Sequence, residues 1–160
     1  MKSRTIFLRP ESLWLAVTAV YICIIYGHSL TPADISSRES GFLLMKLHGL
    51  MDTAGFDSVW LTEHIVRKTA HFAEYTGLGL LLCADCRLWL PTGQRRLRTA
   101  LELAFLIPFV DETIQLFVPG RSGQVSDVWL DVSGVMCGLG LAVLWAGLRQ
   151  RRMNSRGDKL

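Results

Sequence analysis

The sequence offers no disulfide framework: its four cysteines, Cys23, Cys83, Cys86 and Cys137, all fall inside apolar segments. Cys83 and Cys86 form a C-x-x-C, but no second pair completes a zinc site and no βαβ pattern surrounds it, so neither a structural zinc nor a thioredoxin-like centre is expected there. No internal repeat or low-complexity tract is present, and the inverted-repeat signature of many ion-coupled carriers is therefore missing. No small-x-small cleavage site follows the first apolar run, Leu13 to Tyr26. That run, preceded by Lys2 and Arg4, is accordingly read as a retained anchor rather than a signal peptide. Nothing in the sequence identifies a nucleophile.

What the chain does have is apolar length. Half of its 160 residues are hydrophobic and its mean hydropathy is positive, which burial in a bilayer explains better than a soluble core. Four stretches approach the roughly 20 residues needed to cross a hydrocarbon core: Ser12 to Ser29, Ala70 to Trp89, Thr99 to Phe117 and Val128 to Leu148. The expected fold is an all-α membrane protein, a single domain over residues 1–160 with four transmembrane helices. Of the 17 Lys and Arg, twelve lie in the amino tail (Lys2, Arg4, Arg9), the turn between spans two and three (Arg87, Arg95, Arg96, Arg98) and the carboxyl tail (Arg149, Arg151, Arg152, Arg156, Lys159). Positive residues resist translocation, so both termini are expected in the cytoplasm. Topology thereby accounts for the net charge of +3, which is no evidence for nucleic-acid binding. Trp14, Trp89 and Trp145 fall near the inner interface and Trp129 near the outer one, where indole rings collect.

Between spans one and two, Leu30 to Thr69 is long for a bare connection. Phe42, Leu43, Met45, Leu47, Leu50 and Met51 supply apolar surface, and so do Val59, Trp60, Ile65 and Val66. This segment predicts one or two short interfacial helices lying at the outer surface or folded over the bundle mouth.

The remaining signal, together with one glutamine, is a set of ionisable residues inside the spans. Each costs about 2.5 to 3.5 kcal/mol near the middle of a lipid-embedded helix, so they are expected to face one another or a wet cavity. His71 and Glu74 open the second span, Asp111, Glu112 and Gln115 close the third, and Asp127 and Asp131 open the fourth. Alternating topology brings all of them to the outer side. Lys68, His71 and Tyr75 share a helix face, as do Glu112 with Gln115 and Asp127 with Asp131. The fourth-span face continues through Gly134 and Gly138, a small-xxx-small row suited to close helix approach. Pro108, one turn before Glu112, removes an N–H and is a candidate kink. Arg121, in the turn between spans three and four, and Arg67 with Lys68 at the opposite rim, are basic residues outside. They either pair with Glu74, Glu112, Asp127 or Asp131, or hold an anionic substrate, for which an Arg fork suits phosphate or carboxylate.

The run Arg67-Lys68-Thr69-Ala70-His71-Phe72-Ala73-Glu74-Tyr75 resembles the second-helix motif of the VanZ-like membrane protein family. The run Asp111-Glu112-Thr113-Ile114-Gln115-Leu116-Phe117-Val118-Pro119-Gly120-Arg121, with Asp127 and Asp131-Val132-Ser133-Gly134 after it, resembles the family's second motif. Ser29-Leu30-Thr31-Pro32 is similar to its serine-proline signature. The resemblance covers Leu13 to Leu148, while Asp34 to Glu63 has no counterpart in these motifs. It implies a four-helix protein of the bacterial cytoplasmic membrane, in a family whose namesake is associated with resistance to the glycopeptide teicoplanin.

Three functions are compatible with these residues. The first is an outward-facing site that binds or processes an anionic, lipid-linked cell-envelope substrate. Here His71, Glu112 and Glu74 are acid/base candidates. Lys68, Arg67, Arg121, Gln115, Tyr75 and Ser29 are candidates for contacting substrate, and Asp127, Asp131 and Glu74 for holding a divalent cation that bridges to phosphate. The second is a non-catalytic scaffold whose polar knot fixes helix packing while lipids or an envelope partner bind elsewhere. The third, a small ion-coupled carrier, is disfavoured because only Asp85 and Glu102 extend a polar path inward. Open cavities with unpaired cations favour the first, and complete pairing without a cavity favours the second.

Overall fold

The computed structural model describes residues 10–157, all of whose regular structure is helical: α1 (Pro10–Ser29), α2 (Ala33–Thr53), α3 (Glu63–Trp89), α4 (Gly93–Gln115) and α5 (Val125–Gly157). Two helix starts are written in the sequence as threonine caps. The Thr62 hydroxyl accepts from the Ile65 N–H, and the Thr92 hydroxyl accepts from the Arg95 N–H. These caps place the start of α3 seven residues before the expected Ala70 and that of α4 six before Thr99. The helices thus run beyond their apolar stretches into polar first turns. α4 continues without a break through the fully buried Pro108.

The segment after α1 differs from expectation. Instead of one or two short helices it forms a single helix, α2, of 21 residues, none of them buried. Nothing between Ala33 and Thr53 breaks a helix, since that stretch has no proline and its two glycines are tolerated one at a time. α2 ends where Gly55 takes a positive φ of 77°. The following turn folds back on it, with the His48 imidazole 2.9 Å from the Leu61 carbonyl oxygen.

Contacts give the relative directions. His28, late in α1, meets Glu74 in the first half of α3, whereas Leu15 and Thr18 face Leu82, Asp85 and Trp89 at its far end, so the two helices are antiparallel. α4 runs with α1: Gln115 reaches Ser29, the Tyr26 hydroxyl donates to the Ile107 carbonyl, and Thr99 and Leu103 lie beside Leu15 and Thr18 at the opposite end. α5 runs with α3. A Cβ on Gly134 would come within 2.7 Å of the Phe72 carbonyl oxygen, one on Gly138 would collide with that of Thr76, and one on Gly79 with that of Val135. Glycine at these positions lets the two backbones touch.

The bundle has an apolar core around Ile25, Leu78, Ile107 and Val135, but it also buries polar groups and exposes large apolar ones. Thr18, Ser29, Asp85, Asp111, Glu112, Gln115 and Asp131 are buried, while Val20, Leu97, Phe109, Trp129 and Leu144 point outward, each more than half exposed. Among the described residues two helices, over Ser12–Ser29 and Val125–Asn154, are long and apolar enough to cross a membrane.

The α3–α5 contact predicts that Gly138→Val lowers the thermal stability of the detergent-solubilised protein by about 1 to 3 kcal/mol through overpacking. Gly147→Val, at a position with open space around it, serves as the comparison and should melt close to wild type.

Candidate functional site

The end of the bundle carrying the α1–α2 and α4–α5 turns gathers the polar residues of four helices. Parallel packing of α3 and α5 sets their register, and the side chains one and two turns above the glycine contact meet accordingly. Lys68 Nζ lies 3.1 Å from Asp127 Oδ1, and His71 Nδ1 lies 3.8 Å from Asp131 Oδ1, an ion-pair distance too long for a hydrogen bond. Toward α1, Glu74 Oε1 sits 3.0 Å from His28 Nδ1, and the Tyr21 hydroxyl donates to the Glu74 carbonyl.

From α4, Gln115 Nε2 reaches Glu112 Oε1 at 3.0 Å and, at 3.4 Å, both Asp111 Oδ2 and the hydroxyl of buried Ser29. Glu112 Oε2 accepts the backbone N–H of Gln124 at 3.0 Å. Both oxygens of this carboxylate therefore have a donor, and the interaction closes the α4–α5 turn. Gly120, at φ 75°, makes the left-handed step within that turn.

Arg121 forms none of the carboxylate pairs anticipated for it. Its Nε donates to the Thr31 carbonyl and its Nη2 to that of His28, each at 3.1 Å, so the guanidinium ties the α4–α5 turn to the end of α1. The Ala33 N–H donates to the Pro119 carbonyl beside it. Burial first, and the nearby Arg67 guanidinium second, push the Arg121 pKa below its ordinary value. Among the described residues neither Arg67 nor Arg121 has an acidic partner within 4.0 Å.

Two cavities open between these side chains. One of about 190 Å³ lies against Arg67, Lys68, His71, Glu112, Arg121 and Asp131. The other, of about 210 Å³, lies under α2 against His28, Glu39, Arg67, His71, Glu74 and Arg121. Arg67, His71 and Arg121 border both, so the cavities adjoin along a basic wall.

The cation set anticipated from sequence, Glu74, Asp127 and Asp131, is dispersed: Glu74 faces His28, and Asp127 faces Lys68. Asp131 instead groups with His71 and Asp111. Tyr75, one turn beyond His71, is fully buried, and its hydroxyl has no hydrogen-bond partner. Gly134 and Gly138 lie at the helix contact and Pro108 in the core, so these three shape the bundle without lining either cavity. Sequence reasoning passed over His28 and Gln124. His28 carried the same mark as the others, an ionisable residue in the last turn of an apolar helix; Gln124 acts through its backbone and carried none.

The family model described as VanZ/LLP1 matches residues 13–146. No curated protein and no solved structure matches the chain.

Because Arg121 binds carbonyls, Arg121→Gln should destabilise the folded protein by about 1.5 to 3 kcal/mol, the range for hydrogen bonds made by a charged group. Adding Glu112→Gln should recover none of this loss. Recovery in a double-mutant thermal-denaturation cycle would reveal an Arg121–Glu112 ion pair instead.

Proposed function

Since the chain belongs to the VanZ/LLP1 family, we propose that it is a four-span protein of the bacterial cytoplasmic membrane that holds the anionic head of a lipid-linked cell-envelope molecule in its outer polar cavities. In this reading α1, α3, α4 and α5 cross the bilayer, α2 lies at the outer surface, and both termini are cytoplasmic. The outward-facing apolar side chains and the buried acids support the first part, because a lipid surround makes that distribution favourable. The distribution of basic residues supports the orientation.

One observation carries the ligand assignment. Arg67 and Arg121 border both cavities, and among the described residues neither has an acidic partner within 4.0 Å. Neighbouring guanidinium groups at the cavity mouth without a direct ion pair favour an anion between them, and a planar donor fork suits a phosphate. A protein that needed the cluster only for packing would pair these cations with Glu112 or Asp131 nearby. A contribution to glycopeptide resistance, the association implied by the family resemblance, follows if the retained molecule is an envelope precursor.

Two experiments test this. A reporter active only outside the cytoplasm should be active when inserted after Gly55 and silent when fused after Leu160; activity after Leu160 would overturn the orientation. Native mass spectrometry of the purified protein should show a retained phosphate-bearing lipid, and Arg67→Gln should lower its occupancy about tenfold, the loss of one charge-assisted contact. A wild-type protein that carries no such lipid, or a variant that keeps it fully, would remove the anion-binding reading.

A further inference from the structure

The acids that the basic residues leave unpaired converge on a point of their own. His71 of α3, Asp111 of α4 and Asp131 of α5 each offer a ligand atom within 4.8 Å of the other two. Both carboxylates are fully buried. Three of their four oxygens, Asp111 Oδ1 and both of Asp131, have no hydrogen-bond partner. Of the cations nearby, Lys68 is committed to Asp127 and Arg121 to the carbonyls of His28 and Thr31, and Arg67 has no acid within 4.0 Å. Gln115 supplies one side-chain amide donor to Asp111 Oδ2.

Two fully buried carboxylates beside an imidazole, neither oxygen of Asp131 being hydrogen-bonded, are what a bound cation would satisfy. We propose that His71, Asp111 and Asp131 form a divalent-cation site, of the zinc or manganese type, that clasps α3, α4 and α5 together. A dication neutralises the two carboxylates, and the neutral imidazole contributes a nitrogen. An imidazole ligand selects against magnesium and calcium, which take all-oxygen shells. Metal–ligand bonds of about 2.1 Å bring ligand atoms to roughly 3 to 4 Å apart, so a small contraction of the triad completes the geometry. The Tyr75 hydroxyl, fully buried and without a partner, stands one turn from His71 on the same helix face. It is placed as the outer donor that orients a liganding carboxylate.

Three protein ligands leave a further coordination position. His71 and Asp131 border the same cavity as Arg67, Lys68 and Arg121, so that position faces the basic wall. A phosphate oxygen there would be held by the metal from one side and by guanidinium from the other. This role of the metal rests on the anion-binding reading above; its existence does not.

The test is metal retention without added lipid. Protein purified in detergent is incubated with zinc or manganese chloride, dialysed against metal-free buffer, and its metal content measured by inductively coupled plasma mass spectrometry. Wild type and Asp127→Asn should each keep about one equivalent, and His71→Gln, Asp111→Asn and Asp131→Asn should each fall below about a tenth of that, while remaining monodisperse. A wild type that retains no metal, or a triad variant that keeps the full equivalent, overturns the site. Should the variants fail to fold, the wild-type melting midpoint decides. A rise with zinc or manganese and none with magnesium supports the site, and no rise with either metal overturns it. Lipid occupancy measured separately after chelation distinguishes loss of the metal site from loss of the anion site.

Discussion

Close approach of α3 and α5 sets the position of nearly everything else. Gly79, Gly134 and Gly138 let the two backbones touch, and side chains would force them apart. With the helices parallel, this contact fixes one register, in which Lys68 meets Asp127 and His71 meets Asp131. A shift by one residue would rotate these groups off the shared face, since neighbours on a helix surface are three or four residues apart. α4 then completes the site by presenting Asp111, Glu112 and Gln115 from one turn and a half of helix. Packing of small residues thus determines electrostatics some distance from it.

The site divides its charges by task. Glu112 and Arg121, adjacent to the cavities, spend their hydrogen bonds on backbone: one holds the N–H that begins α5, the other the carbonyls that end α1. Together they fasten the turns at the mouth of the bundle. Arg67 has no such duty, and Asp111 and Asp131 have almost none. A protein that buried Asp111 and Asp131 for stability alone would have paired them, because an unpaired charge in a low-dielectric interior is strongly unfavourable. Basic and acidic groups that border one cavity without a direct pair suit an anion and a cation held side by side.

The all-helical architecture, the family and the clustering of polar residues at one end were legible in the sequence because each rests on local pattern: apolar length, motif runs and helical spacing. The glycine row on α5 was legible for the same reason. Partner choice was not. Arg121 was expected to meet a carboxylate, but whether a guanidinium finds an acid or a carbonyl depends on the path of a turn ninety residues away in sequence. Glu74 was grouped with Asp127 and Asp131 by depth alone, whereas helix rotation turns it toward α1 and His28. The start of α3 lay hidden because its first turns, through His64, Arg67 and Lys68, are too polar to register as part of a span. α2 was read as one or two short helices since apolar content, unlike an unbroken run of helix-compatible residues, says little about length.

The central claim is that an apolar-faced bundle encloses a wet, outward-opening polar cavity. Thiol reactivity from outside the cell tests it most directly. In a chain without Cys23, Cys83, Cys86 and Cys137, cysteines would be placed at Lys68, Ser122 and Leu130, which border the cavity, and at Leu141 and Val143, which face outward. A small, charged, membrane-impermeant maleimide should label the first three and leave the last two unlabelled. Protection of all three cavity positions, or labelling of Leu141 and Val143 as well, would contradict the account.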